Sequence, residues 1–361
     1  MYKRWIMILS LAATIPLLTV CNKSSDSAAP SATPQSPSVS TSGGAWWDKV
    51  DFSKKVQMTF ASTNSPGFGA ELLRDKAIKL ISERSRGAIE IEEVFNGALG
   101  NEQSSVAQCM EGALELCGIG IGTISKYSPY LDVSQMPFLI NSYELEAKVL
   151  QLKEFKALVE KANADLRDVR IITIGGDYRI RHFATIQKPI KTMSDIKGLK
   201  IRSIGNPVID EALKIVGANP VNITYIDLYS ALQNKIIDGE EINTSSISMQ
   251  KHYEVVNYMS EIGLYPFISG VVMNTKIIES LPGGYFDLIQ ECFIEADKEY
   301  MEKTIYEFDK QMRQDCIDHG VGFNVIEDKA AWLEAMAPLY QRKMAESPLY
   351  ASFIKAVQDL Y

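Results

Sequence analysis

The chain has 361 residues, with 37 Lys and Arg against 45 Asp and Glu and a formal charge of −8. That length suffices for two domains with their own cores, and the acidic balance disfavours nucleic acid as a partner. An acidic surface does not attract an anion from a distance, so an acidic ligand would need positive potential local to a pocket.

Residues 1–21 carry Lys3 and Arg4, an uncharged run from Trp5 to Val20, and then Cys21. This reads as an export signal rather than a spanning helix, and its removal takes two cations, leaving −10. Leu18-Thr19-Val20-Cys21 has the form of a lipoprotein cleavage box with Cys21 as lipid anchor, although Val20 stands where a small residue is usual. An ordinary secreted protein with a free early cysteine is the other reading. Residues 22–48 are expected to be a disordered tether, since Ser, Pro, Ala, Thr and Gly dominate up to Gly44 and offer little to offset the entropy of ordering. As a flexible chain its ends would lie on the order of 25 Å apart, enough to hold a globule clear of a bilayer.

Val56 to Ala61 reads as a strand, and Ala70 to Arg86 as a helix with Leu73, Ala77, Leu80 and Ile81 on one face and Gly87 as its stop. Ala88 to Phe95 alternates Ile89 and Ile91 with Glu90 and Glu92, a second strand. A short helix over Val106 to Gly112, a strand over Leu114 to Gly120, a helix over Tyr143 to Asn163 and a strand over Ile171 to Gly175 follow. From Tyr285 onward the pattern is almost all helical. Strand and helix alternate without hairpin signals, which predicts an α/β fold with a mainly parallel sheet.

Two strand-to-helix junctions each bring a polar group to a place where a small anion could bind. In the first, Leu199 to Ile204 alternates as a strand, Asn206 is placed to cap, Pro207 suits the first helical position, and Ile209, Ala212, Leu213 and Val216 share a face before Gly217. Arg202 then lies near the carboxyl end of a strand beside a helix N-terminus. In the second, Thr224 and Asp227 form a variant capping box ahead of Leu228, Ala231 and Leu232, with Tyr225 just before the helix and Ile236 to Gly239 closing in a turn.

Catalytic signatures are lacking. His182, His252 and His319 have no metal-ligand spacing, Gly118 to Gly122 lacks the full dinucleotide order and reads as a strand end, and no G-x-S-x-G elbow occurs. Cys109 and Cys117 are read as buried free thiols, and Cys292 and Cys316 lie too far apart along one helical region to bridge unless it bends back.

The run Lys188-Pro189-Ile190-Lys191-Thr192 through Asp195, then Lys197 to Arg202, Gly217-Ala218-Asn219-Pro220, and Ala231-Leu232-Gln233 through Asp238-Gly239-Glu240-Glu241 resembles the solute-binding proteins of tripartite ATP-independent periplasmic (TRAP) transporters. Gly87, Leu99-Gly100, Met136-Pro137-Phe138-Leu139, Met273-Asn274 and Leu281-Pro282 agree, so the resemblance covers residues 52–350. It implies a two-domain α/β periplasmic-binding-protein fold with a hinge and an interdomain cleft, domain one from 50–178 with 266–306 and domain two from 179–265 with 307–361.

The resemblance further implies an extracytoplasmic, non-enzymatic protein, without cofactor or metal, that captures a small carboxylate and passes it to membrane permease subunits. Arg202 stands where the family pairs an arginine with the ligand carboxylate, and Arg181 where a second pocket arginine is found, with Arg179 its competitor. The planar guanidinium offers a carboxylate two parallel bonds, which a lysine cannot. Tyr225 matches an aromatic pocket position, and Glu241, Ile242 and Asn243 are expected at the ligand. Many members carry Asn or Trp where Ile242 stands, so either Asn243 takes the polar role or the wall is apolar there. A binding protein of an ATP-driven importer or a periplasmic sensor partner would share the cleft, and a secreted hydrolase would need a nucleophile or metal site.

Overall fold

A computed structural model describes residues 45–67 and 69–361. The export signal, Cys21 and residues 22–44 of the expected tether lie outside the described residues. Trp46–Lys49, counted partly with the tether, instead form a 3-10 turn in which Trp47 packs on the core and beneath Arg84, 4.3 Å from the ring centroid.

β1 (Val56–Ala61), β2 (Ile89–Val94), β3 (Leu116–Gly120) and β4 (Val169–Ile180) begin a first sheet. β5 (His182–Thr185), β6 (Lys200–Ser203), β7 (Asn219–Asn222), β8 (Gly239–Ile242) and β9 (Tyr258–Glu261) belong to a second. β10 (Pro266–Asn274) returns to the first sheet and β11 (Gly322–Val325) to the second, giving the orders β2-β1-β3-β10-β4 and β11-β9-β5-β8-β6-β7. Both sheets are mixed rather than mainly parallel. β1 is parallel to β2 and β3, and β6 to β7 and β8, but β10 runs antiparallel to β3 and β4, and β5 antiparallel to β8 and β9. The antiparallel strands are those that carry the chain from one sheet to the other, which reverses their direction.

The two crossings run side by side. β4 continues through Arg181 into β5, and β9 leads through 262–265 into β10. Arg181 N–H donates to the Tyr265 carbonyl and Leu264 N–H to the Arg181 carbonyl, both at 2.8 Å.

Local elements follow the side-chain pattern. Helix Gly69–Arg84 buries Leu73, Ala77 and Ile81, spaced four apart, beside helix Tyr285–Lys303 with Leu288, Cys292 and Phe293. It stops where Arg86 and Gly87 turn left-handed, at φ 56° and 75°. The helix expected over 143–163 is two, Tyr143–Val149 and Lys153–Asp165. Continuing the stripe of Leu145 and Val149 would turn Lys153 inward, whereas a break leaves that side chain 91% exposed and faces Phe155, Leu158 and Ala162 to the core. β11 interrupts the region expected to be helical, after Gly320 turns left-handed at φ 92°. The last helix, Pro348–Gln358, was grouped with domain two, yet it packs Phe353 on Phe155 and donates from Tyr350 to the Pro129 carbonyl.

The cysteines Cys109, Cys117, Cys292 and Cys316 are free and buried. Cys292 lies in the core of the first sheet and Cys316 in that of the second. Burial pushes their thiols up to about 11 and about 12, away from the reactive thiolate. Among the described residues no helix is long and apolar enough to cross a membrane, and no group of three or more His, Cys, Asp or Glu could hold a metal.

His182 secures the crossing. Its Nδ1 accepts the N–H groups of Ile262 and Gly263, both at 3.1 Å, so the ring is neutral with its proton on Nε2. Burial drives its pKa down to about 4 from 6.5. Between those values the unfolded chain binds more protons, so the contribution of His182 is full above about pH 6.5 and falls as the pH drops towards 4. Denaturant unfolding at pH 7.5 and 4.5 should therefore show wild type losing about 2 kcal/mol more than His182→Gln over that interval. An equal loss in the two proteins would contradict the neutral ring.

Candidate functional site

A cavity of about 260 Å³ opens between the two sheets, at the carboxyl ends of the parallel strands β1, β3, β6, β7 and β8. Backbone N–H groups and side chains leave a sheet there, which makes this edge the ordinary place for a ligand in α/β folds.

Four arginines line it, each nearly buried: Arg74 at 5% exposure, Arg179 at 2%, Arg181 at 3% and Arg202 at 3%. Arg202 comes from β6, whose Ile201 is packed in the core while Arg202 pairs in register with Val221 of β7. Its Nε donates to the Ile223 carbonyl at 3.0 Å, and its Nη1 lies 3.7 Å from Glu241 Oε1 without a hydrogen bond. Burial pushes this guanidinium down from its ordinary value, opposed by Glu241. Arg181 lies between the sheets, where Nη1 donates to the Glu241 carbonyl at 2.9 Å and stands 3.2 Å from Glu241 Oε2. Its guanidinium covers the Phe267 ring, 4.4 Å from the centroid. Arg179 Nη1 donates to Ser245 Oγ at 2.7 Å.

Glu241 is fully buried behind the arginines and is not part of the cavity wall. Its Oε2 also accepts the Tyr265 hydroxyl at 2.7 Å, and burial with Glu241 nearby holds that phenol well above its usual range. One carboxylate thus faces two guanidinium groups. In the dry interior that arrangement requires the carboxylate, since burying unpaired cations costs several kcal/mol each.

Strand alternation separates Glu241 from its neighbour. Ile242 points into the apolar core of the second sheet and is not on the cavity wall, so the apolar wall considered for it is absent there. Asn243 is on the wall. It caps helix Thr244–Met249, its Oδ1 accepting the Ser246 N–H at 2.8 Å, which commits that oxygen and leaves Nδ2 as the amide's donor. Tyr225 also lines the cavity, with its hydroxyl 3.2 Å from Ser246 Oγ. The second junction departs from a capping box: Thr224 Oγ1 bonds to the Asp227 carboxylate, and neither caps the helix. At the first, Asn206 caps as expected, accepting from Val208 and Ile209.

Other wall residues were not singled out in the sequence. Arg74 projects from helix Gly69–Arg84, bound to Glu71, to Glu93 at 2.9 Å and to Ser62 Oγ at 3.0 Å. Its signal is an arginine next to Leu73, on the inward face of that helix. Glu102, at the start of helix Glu102–Glu111, and Phe267, on β10, also line the cavity. The glycines of Gly118 to Gly122 admit these side chains. A Cβ on Gly120 would stand 2.6 Å from the Phe267 ring, and one on Gly118 would stand 3.3 Å from Arg74 Nη1.

Residues 60–347 match the model of the bacterial extracellular solute-binding proteins, family 7. A solute-binding protein of Chromohalobacter salexigens is 26% identical over 282 residues, covering 78% of this chain and 82% of that one. The 2,3-diketo-L-gulonate-binding periplasmic protein of Escherichia coli is 24% identical over 303 residues, covering 83% and 89%. Among solved structures, a TRAP periplasmic solute-binding protein of Roseobacter denitrificans with bound β-D-glucuronate superposes with a TM-score of 0.78 at 23% identity, covering 84% and 99% of the two chains. The sugar acid binding protein of Advenella mimigardefordensis in complex with galactonate gives 0.80 at 20% identity, covering 85% and 99%. With 288 of its residues inside the family model and this two-sheet cleft, the chain belongs to family 7 of the bacterial extracellular solute-binding proteins, the TRAP type.

Proposed function

We propose that this chain captures a small organic acid in the cavity between its sheets and delivers it to the permease subunits of a TRAP transporter, tethered to a membrane through Cys21. The observation that carries the reading is Arg202, buried on the cavity wall with only Nε of its guanidinium in a hydrogen bond and Arg181 beside it. A ligand carboxylate there receives charge-assisted bonds from the guanidinium fork. Arg181 supports it, Asn243 donates from its Nδ2, and Tyr225 packs against the carbon skeleton. The Escherichia coli relative is named for 2,3-diketo-L-gulonate, and the two solved neighbours hold β-D-glucuronate and galactonate, all of them acids.

Capture needs no covalent chemistry. Each sheet contributes part of the wall, so a ligand touching both favours the closed arrangement by its differential contacts. We assign the hinge to the paired crossings at 181–182 and 262–265, which divide the chain into a lobe around each sheet. Closure removes water, and the ionic hydrogen bonds strengthen in the drier site.

A thermal-shift screen of organic acids, followed by calorimetry of the best hit, tests this. Arg202→Ala should weaken that acid by at least about 100-fold, the loss expected on truncating one partner of a buried charge pair. Arg202→Lys should restore little of it, because an ammonium lacks the fork. Both variants must retain the wild-type circular dichroism spectrum, and unaltered affinity in a folded Arg202→Ala would overturn the assignment. Removing the shared carboxylate with Glu241→Ala should cost about 3–5 kcal/mol in denaturant unfolding. A loss below about 1 kcal/mol would mean that Glu241 does not hold the two arginines in place.

A further inference from the structure

The two walls of the cavity differ in charge. Arg202 comes from the second sheet, whereas Glu102, half-buried on the wall, is bonded to the end of β3 in the first. Its Oε2 is held away from its own helix by the Gly120 N–H at 3.1 Å and the Thr123 hydroxyl at 2.6 Å. Among the described residues it has no ion-pair partner, and Oε1 makes no hydrogen bond. Phe267 stands between the walls, its tip against Gly120 and its face beneath Arg181. The nearest cation on the Glu102 side, Arg74, is already held by the carboxylates of Glu71 and Glu93 and by Ser62. The positive charge on this wall is thus already matched by carboxylates of the protein.

An acid anchored at Arg202 therefore meets, at its far end, a carboxylate that only accepts hydrogen bonds. A hydroxyl donates to it, whereas a second carboxylate in a closed cavity is repelled. Resting on the organic-acid reading above, we infer that Glu102 is a specificity-determining residue that accepts a hydroxyl of the ligand and excludes a second carboxylate, so that the chain selects hydroxylated monocarboxylates over dicarboxylates.

Calorimetry with hexonate stereoisomers, each paired with the aldarate in which the terminal hydroxymethyl is a carboxylate, tests the inference, with succinate as a short dicarboxylate. Wild type should prefer the best hexonate over its aldarate by at least about 30-fold. Glu102→Gln is isosteric and keeps an oxygen for Gly120 and Thr123 while turning an amide donor to the cavity. It should narrow that ratio to under about threefold, and Glu102→Asp, which keeps the charge, should preserve most of it. Equal or tighter binding of an aldarate or succinate by wild type would overturn the inference, as would a ratio unmoved in Glu102→Gln. If another class of acid binds and depends on Arg202 while no hexonate does, the inference falls and the organic-acid function stands. If no acid of any class binds, both fall.

Discussion

One buried carboxylate, Glu241, faces the guanidinium groups of Arg181 and Arg202, and the rest of the site is arranged around that sharing. Charges this far from water need partners, and hydrogen bonds from the Tyr265 hydroxyl to Oε2 and from Arg181 to the Glu241 carbonyl lock the carboxylate in place. Arg202 is thereby held without being saturated, since its one hydrogen bond is from Nε to the Ile223 carbonyl and Glu241 stands 3.7 Å from Nη1. A tighter internal pair would have sealed the site. A looser one would have left the desolvation of two cations uncompensated.

The chain path makes this possible. Arg181 and Tyr265 lie on the two adjacent crossings between sheets, bonded backbone to backbone, while Glu241 and Arg202 come from neighbouring strands of the second sheet. The charged cluster therefore sits where the sheets meet, and a ligand bound to it senses both. Neutral His182, accepting two backbone N–H groups one residue away, stiffens the same place without adding a charge. The wall on the first sheet is built on other terms: glycines in β3 let Phe267 and Arg74 come close, and Glu102 is presented by bonds to the end of that strand.

Much of this was legible in the residues. Strand β1, the stop at Gly87 and the cap at Asn206 follow from local pattern, because each depends on a few neighbouring side chains. The strand-end place of Arg202 was readable for the same reason. Its partner was less so, because the burial of Glu241 behind the arginines depends on how β8 pairs with β6 and β5. The mixed sheets, the short strand β11 and the break after Val149 are set by packing between distant segments, which local periodicity does not contain. Arg74 and Glu102 escaped notice because a charged residue on a helix usually faces water, and only the fold turns these two towards the cavity.

The most direct measurement is the crystal structure of the chain bound to the acid it holds most tightly. The account requires a carboxylate oxygen of that acid about 2.8 Å from a guanidinium nitrogen of Arg202, with Glu241 still behind the arginines. An acid whose carboxylate lies elsewhere in the cleft, with Arg202 engaged by Glu241 alone, would contradict it.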